Sequence, residues 1–240
     1  MSEQEWQEVV DYSASYIVKI STPSGTGTGF LFSHTDDPNL CAIATAGHVV
    51  RHAHYWEEPI RIYHPVSGHE CLTRRDGRAI LLDERVDTAA LIFNPGEINF
   101  PDDLPILAPE GQSLRVGIEI GWMGFPVVAS DHLCFFSGRI SAFSRDESTY
   151  LVDGVSINGV SGGPAIHRSN DGKTHFIGVV SAYIPNLATG EALPGLSIVR
   201  DVVQLQEVVK QFGSIEEAHE SESPTEERED KLADRLTDGQ

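Results

Sequence analysis

The sequence is poor in cysteine, in basic residues and in uninterrupted apolar stretches. Only three of its 240 residues are cysteine. Cys41, Cys71 and Cys134 are odd in number and widely spaced, so they form no secreted disulfide framework; free thiols in a reducing, cytoplasmic compartment are the expectation. Seventeen Lys and Arg stand against 36 Asp and Glu, a net charge of −19. A surface that acidic repels phosphate backbones and anionic lipid, which argues against a nucleic-acid partner. No apolar run reaches the ~18 residues of a membrane span. The first eight residues carry Glu3, Glu5 and Glu8 where a signal peptide would carry bases. The expectation is a soluble protein with no membrane partner. A compact chain of this length buries roughly 70–75% of its unfolded surface, so it needs no disulfide, metal or other cofactor for stability.

Turn formers, in contrast, are plentiful, with 22 Gly and 13 Pro. Between them lie short runs rich in β-branched and aromatic residues, which read as strands. A first series comprises 16–20, 25–32, 41–45, 60–63, 79–82 and 89–93. A second comprises 117–122, 133–143, 150–152, 165–167, 175–183 and 196–198. A Pro-rich connector separates them, with Pro95, Pro101, Pro105 and Pro109. The expected fold class is all-β, with two six-stranded antiparallel β-barrels, since closure hides strand edges. Residues 12–95 would form the first barrel, 96–114 the connector and 115–213 the second barrel. Val202, Val203, Leu205, Val208, Val209 and Phe212 fall at helical spacing before Gly213 and predict a C-terminal α-helix. Elsewhere only an acidic turn around Glu3–Val10 hints at helix. Residues 214–240 hold ten acids and three bases. They read as a disordered acidic tail that solubilises the chain or docks a regulatory partner.

Three segments carry chemistry. In Gly159-Val-Ser-Gly-Gly-Pro164 a serine sits among glycines, whose backbone freedom lets successive N–H groups aim at one point. A hydroxyl there can attack a carbonyl while those N–H groups hold the oxyanion; a plain β-turn has the same composition. In Ala42-Ile-Ala-Thr-Ala-Gly-His48, a histidine directly follows a strand, where a general base would be held rigidly. A satisfied rim histidine fits equally well. Nearby His52 and His54 match no strong metal spacing and read as solvated loop residues. In Val86-Asp87-Thr-Ala-Ala-Leu-Ile-Phe93 an acid heads an apolar strand, and a buried carboxylate needs a partner such as an imidazole N–H. Asp83 and Glu84 read as solvated competitors, and Asp87 also suits an ordinary turn.

The order His48, Asp87, Ser161, at separations of 39 and 74 residues, resembles the chymotrypsin/trypsin-like serine peptidases. Thr45-Ala-Gly-His48, Asp87-Thr-Ala-Ala-Leu91 and Gly159-Val-Ser-Gly-Gly-Pro164 match that family. Gly25-Thr-Gly-Thr-Gly-Phe30, Val116–Pro126, Gly138–Ala142 and Gly178–Tyr183 look most like the protease domain of bacterial HtrA/DegP-type enzymes. The resemblance covers about residues 12–212 and implies an intracellular serine endopeptidase acting on protein or peptide substrates. Ser161 would be the nucleophile, His48 the general base and Asp87 its orienter. Gly159 and Ser161 N–H would form the oxyanion hole, and Ser181, Ala182 and Tyr183 would pair with substrate. No metal or cofactor is implied.

Several departures qualify the carry-over. Val160 stands where digestive members have an acid that pairs with a freshly cut N-terminus, and no Ile-Val-Gly-Gly activation end is present. Activity without N-terminal cleavage is expected. The half-cystine pair bracketing the histidine is missing, and residues 213–240 are too few for a PDZ domain, so none is expected there. Val155 falls near the pocket-base position and Tyr183 replaces a common glycine, which implies a small or medium apolar P1 residue. Two rival readings are a catalytically silent peptidase-fold module that binds peptides and an esterase using the same triad. The esterase reading lacks a strand–Gly-x-Ser-x-Gly–helix elbow.

Overall fold

In the first half of the chain, strand pairing follows apolar content. The computed structural model describes residues 1–35, 37, 39–185 and 192–207, with backbone alone for 34, 182–185 and 192–194. Helix α1 (Glu3–Ala14) opens on a capping box, in which Ser2 and Glu5 satisfy each other's backbone N–H groups. Strands β1 (Ile17–Thr22), β2 (Gly25–His34) and β3 (Cys41–Ala46) follow, then helix α2 (Gly47–Tyr55), β4 (Ile60–His64), β5 (His69–Thr73), β6 (Arg78–Asp83) and β7 (Thr88–Phe93). The six residues of β3 are all buried, as are those of β7. These two strands lie inside the sheet, each flanked on both sides, and with both faces buried they read as continuous apolar runs. They pair antiparallel from Cys41↔Phe93 to Ala46↔Thr88.

The first half is not the closed six-stranded barrel that the sequence predicts. It is an open sheet of seven strands, in the order β5-β4-β1-β2-β3-β7-β6. The added strand is β5, His-Glu-Cys-Leu-Thr, whose polar and largely exposed residues give no apolar signal. Polar edges of this kind discourage further pairing. The gap between the edges is spanned by a side chain. Arg78, the first residue of β6, donates to Thr73 O at the end of β5 (3.0 Å), and also to Ala53 O (3.0 Å) and Glu58 O (2.6 Å).

The second half does close. Strands β8 (Glu119–Gly124), β9 (Cys134–Ser144), β10 (Thr149–Asp153), β11 (Pro164–Arg168), β12 (Thr174–Pro185) and β13 (Ala192–Asp201) form a barrel in the order β10-β13-β12-β11-β8-β9. Trp122, Ile140, Tyr150, Val152, Ile177 and Val199 fill its core. Phe176 on β12 packs edge-on against Phe30 on β2, with centroids 5.2 Å apart. A helical turn over 203–207 begins the expected C-terminal helix; its remainder and the 214–240 tail lie outside the described residues. Among the described residues no helix is long and apolar enough to cross a membrane.

Helices α1 and α2 extend well beyond the sequence expectation. Gly47–Tyr55 has few strong helix formers, and its N-cap Ala46 makes no side-chain cap bond. The cap comes instead from Asp87, 39 residues away. Asp87 O accepts from Gly47 N (3.0 Å), and Asp87 Oδ1 accepts from His48 N (2.8 Å). Two orphan N–H groups are satisfied, and a carboxylate faces the positive end of the helix. His52 and His54, expected in a loop, therefore lie on α2. His52 Nδ1 is 3.0 Å from Glu58 Oε2.

Candidate active site

The β3–β7 register builds the first part of the site. Because Ala46 and Thr88 are partners, the residues just beyond them, Gly47-His48 and Asp87, must meet at the end of the ladder. Asp87 takes a left-handed φ of 52°, a conformation that Asp tolerates better than most residues. This turns its carboxylate toward α2. His48 Nδ1 lies 2.8 Å from Asp87 Oδ2. An ionised carboxylate only accepts, so Nδ1 carries the proton and the neutral imidazole keeps its lone pair on Nε2. Ser181 Oγ also donates to Asp87 Oδ2 (2.5 Å). Burial pushes the Asp87 carboxyl up. The hydrogen bond and charge of His48, the Ser181 hydroxyl and the His48 N–H outweigh burial and hold it below the usual carboxylate range. The His48 side chain is 39% exposed and that of Asp87 25%. The imidazole thus opens to solvent while the acid behind it is shielded.

The Ser161 loop is set by the opposite principle, through its backbone. Gly162 has a φ of +90°, and a Cβ there would lie 2.0 Å from Thr28 O, 2.3 Å from Thr45 Oγ1 and 3.0 Å from Ala46 N. Only glycine fits, and the contact seats the loop against the end of β3, two residues before His48. Thr28 N donates to Ser161 O (2.8 Å), and Thr28 Oγ1 donates to Gly159 O (2.7 Å). Val127 N donates to Asn158 O (2.7 Å) and Gly163 N to Val160 O (2.9 Å). In a trans peptide the N–H points opposite its C=O. The N–H groups of Gly159 and Ser161 therefore turn away from those two bonds, and neither meets an acceptor among the described residues. Val160 is fully buried in the core of the second barrel. Apolar packing anchors the loop where digestive enzymes use an ion pair.

Other residues singled out from sequence fall as follows. Ser181 is 1% exposed and its hydroxyl faces Asp87. It reaches the site through this hydrogen bond, a contact the sequence does not reveal. On its β11 side, β12 pairs with the strand as far as Val179, and Val180 then donates to Gly163 O (2.9 Å) and accepts from Gly162 N (2.6 Å). Past that point Ala182 and Tyr183 pair with Ile198 and Ser197 of β13. The Ala182 and Tyr183 side chains lie outside the described ones. Val155 is half exposed. Asp83 pairs with Arg85 (2.9 Å), away from His48. Among the described residues no group of three or more His, Cys, Asp or Glu side chains is placed to hold a metal. Sequence reasoning missed Thr28. The signal was a β-branched hydroxyl between two glycines on a buried strand, a group that must find a partner.

The family model of the trypsin-like peptidase domain matches residues 27–179. The chain belongs to that family and so falls, by class, among the serine endopeptidases. Solved structures share its fold. Rv3671c protease from M. tuberculosis, in an inactive form, is 19% identical with a TM-score of 0.62, over 89% of this chain and 96% of that one. Deg5 is 18% identical with a TM-score of 0.63, over 86% of this chain and 94% of that one. The serine endoprotease from Yersinia pestis is 19% identical with a TM-score of 0.62, over 86% of this chain and 65% of that one. A search of the curated proteins gives no match.

Proposed function

We propose that the chain hydrolyses peptide bonds through an acyl-enzyme on Ser161. The observation that carries this reading is the double grip of Asp87 on His48, through Nδ1 and backbone N–H, beside a serine loop seated on the same strand end. Ser161 Oγ attacks the scissile carbonyl carbon, and His48 Nε2 takes its proton. Asp87 keeps the tautomer and stabilises the imidazolium. The negative charge on the carbonyl oxygen falls to Gly159 and Ser161 N–H, donors each worth ~10²–10³ in rate. His48 then gives its proton to the leaving amine, and water cleaves the ester by the same route. Among the described residues no strand pairs with β12 on its β11 side past Val180, which supports pairing of 181–183 with the substrate backbone as an added strand. Buried Val160 supports activity without N-terminal processing.

Protein or peptide substrates with a small or medium apolar P1 residue fit this reading. A cytoplasmic location fits the unpaired Cys41, Cys71 and Cys134. A fluorophosphonate probe tests the mechanism. Wild type should label and Ser161→Ala should not, with peptide hydrolysis lost in parallel. Retained peptide binding without labelling would favour the silent binding module instead. Deleting residues 214–240 separates a solubilising tail, which leaves kinetics unchanged, from a regulatory one.

A further inference from the structure

The oxyanion donors belong to the second barrel, yet the residues that fix them project from the first sheet. Lys19 on β1 and Thr28 on β2 are directly opposed in the ladder, so their side chains share one face of the sheet. Both reach across to the segment Phe125–Ser130. Thr28 Oγ1 accepts from Phe125 N (3.0 Å), and Lys19 Nζ donates to Ser130 O (2.7 Å). The segment is therefore gripped at both ends. Between the grips, Val127–Ala129 form a single 3-10 turn closed by Ala129 N to Pro126 O (2.8 Å). From that turn Val127 N donates to Asn158 O, the carbonyl of the peptide whose N–H belongs to Gly159. Thr28 Oγ1 also holds the next carbonyl, Gly159 O.

An ion pair does not account for Lys19. Its nearest carboxylate, Asp131, is 3.8 Å away and 91% exposed, whereas Lys19 itself is only 18% exposed. Exposed partners at that distance contribute little. The directed contact is the one to the main-chain carbonyl of Ser130.

We propose that Lys19 and Thr28 are positioning residues for the oxyanion hole, acting through the 126–129 turn on the Asn158–Gly159 peptide. This rests on the reading of Ser161 as nucleophile. Without the grips, the turn relaxes, Asn158 O loses its donor and the Gly159 N–H leaves the cleft. The His48–Asp87 pair stays intact, so the defect lies in stabilising the oxyanion and not in activating the serine.

The test is the second-order rate of fluorophosphonate labelling, with its pH profile, in Lys19→Met, Lys19→Arg, Thr28→Val and Thr28→Ser. Thr28→Val should slow labelling about 10²-fold, as loss of one oxyanion donor does. Lys19→Met should slow it about tenfold, as a small misplacement at the reacting centre does. Arg at 19 and Ser at 28 should restore near wild-type rates, and the pH profile should keep its shape in every variant. Should Thr28→Val fail to fold, Lys19→Met carries the test, together with faster hydrogen exchange at the Val127 amide. Lys19→Met labelling at the wild-type rate, or slowing only in proportion to its unfolded fraction, overturns the inference. A wild type that does not label overturns the hydrolase reading, and this inference with it.

Discussion

The two halves of the molecule hold their parts of the site by different means. The open N-terminal sheet carries His48 and Asp87, which side chains hold in place: a carboxylate capping a helix, the Ser181 hydroxyl of the second barrel on that carboxylate, and the Arg78 guanidinium on Ala53 O of the same helix. The closed C-terminal barrel carries Ser161 and positions it mainly with backbone: two glycines at positive φ, four consecutive bonded carbonyls from Asn158 to Ser161 and a buried valine, with the Thr28 hydroxyl added from the first sheet. On the proposed mechanism, the difference follows from the chemistry asked of each half. Proton transfer needs titratable groups, which must stay partly solvated or paired. Oxyanion stabilisation needs N–H dipoles fixed in advance, which glycine conformations, bonded carbonyls and the reach of Thr28 and Lys19 from the first sheet supply.

That contrast can be broken or sharpened by substitution. The largest effect should come from Asp87→Asn, which keeps the shape but disturbs the tautomer. We expect kcat to fall ~10⁴-fold, as in other triads, with near-native circular dichroism. A small effect would mean that His48 is not the base. Val160→Asp attacks the other half, because it buries an unpaired carboxylate among Ile120, Trp122 and Val180. A loss of about 3–5 kcal/mol in urea unfolding is expected, partly relieved at low pH, where the acid is neutral. Full stability at neutral pH would show that the loop accepts an ion-paired anchor after all. Arg78→Met should cost about 1–3 kcal/mol through the backbone carbonyls it abandons. Its thermal midpoint should fall while the rate per folded molecule changes far less than in Asp87→Asn.

Ser181→Ala removes one hydrogen bond to a charged acceptor, worth about 1.5–3 kcal/mol. A roughly tenfold or greater drop in kcat with little change in KM is expected, read from steady-state kinetics. The smallest effect concerns pH. The Asp87 carboxyl titrates below its ordinary 3.8 in the folded chain. Its contribution is therefore complete above that value and lost as pH falls through the lower folded one. Wild type should thus lose more stability than Asp87→Asn on acidification from pH 5 to pH 2, measured by denaturant unfolding at roughly unit pH steps.

Much of this was legible in the linear order of residues, though not all of it. Strands such as β3 and β7 announce themselves because burial on both faces requires unbroken apolar runs. Strand β5 does not, because an exposed edge can be polar and leave no period. Helix α2 was hidden for a different reason, since its cap is a residue 39 positions away. His48, Asp87 and Ser161 stood out as polar groups in apolar or glycine-rich settings. Ser181 pointed only to a strand edge, and nothing local distinguishes a serine facing substrate from one facing a buried acid.

What the amino-acid order determined alone was the set of candidate reactive groups, the glycines that the loop at 159–163 requires and the alternation of strands with turns. Tertiary structure decided that one half closes and the other does not, that Asp87 grips both ring and backbone of His48, that Thr28 reaches across to the serine loop and that Lys19 reaches the neighbouring 125–130 segment. The physical reason is range. Propensity and burial act on neighbours in sequence, whereas these hydrogen bonds join residues tens to more than a hundred positions apart, and only strand register brings them within 3 Å.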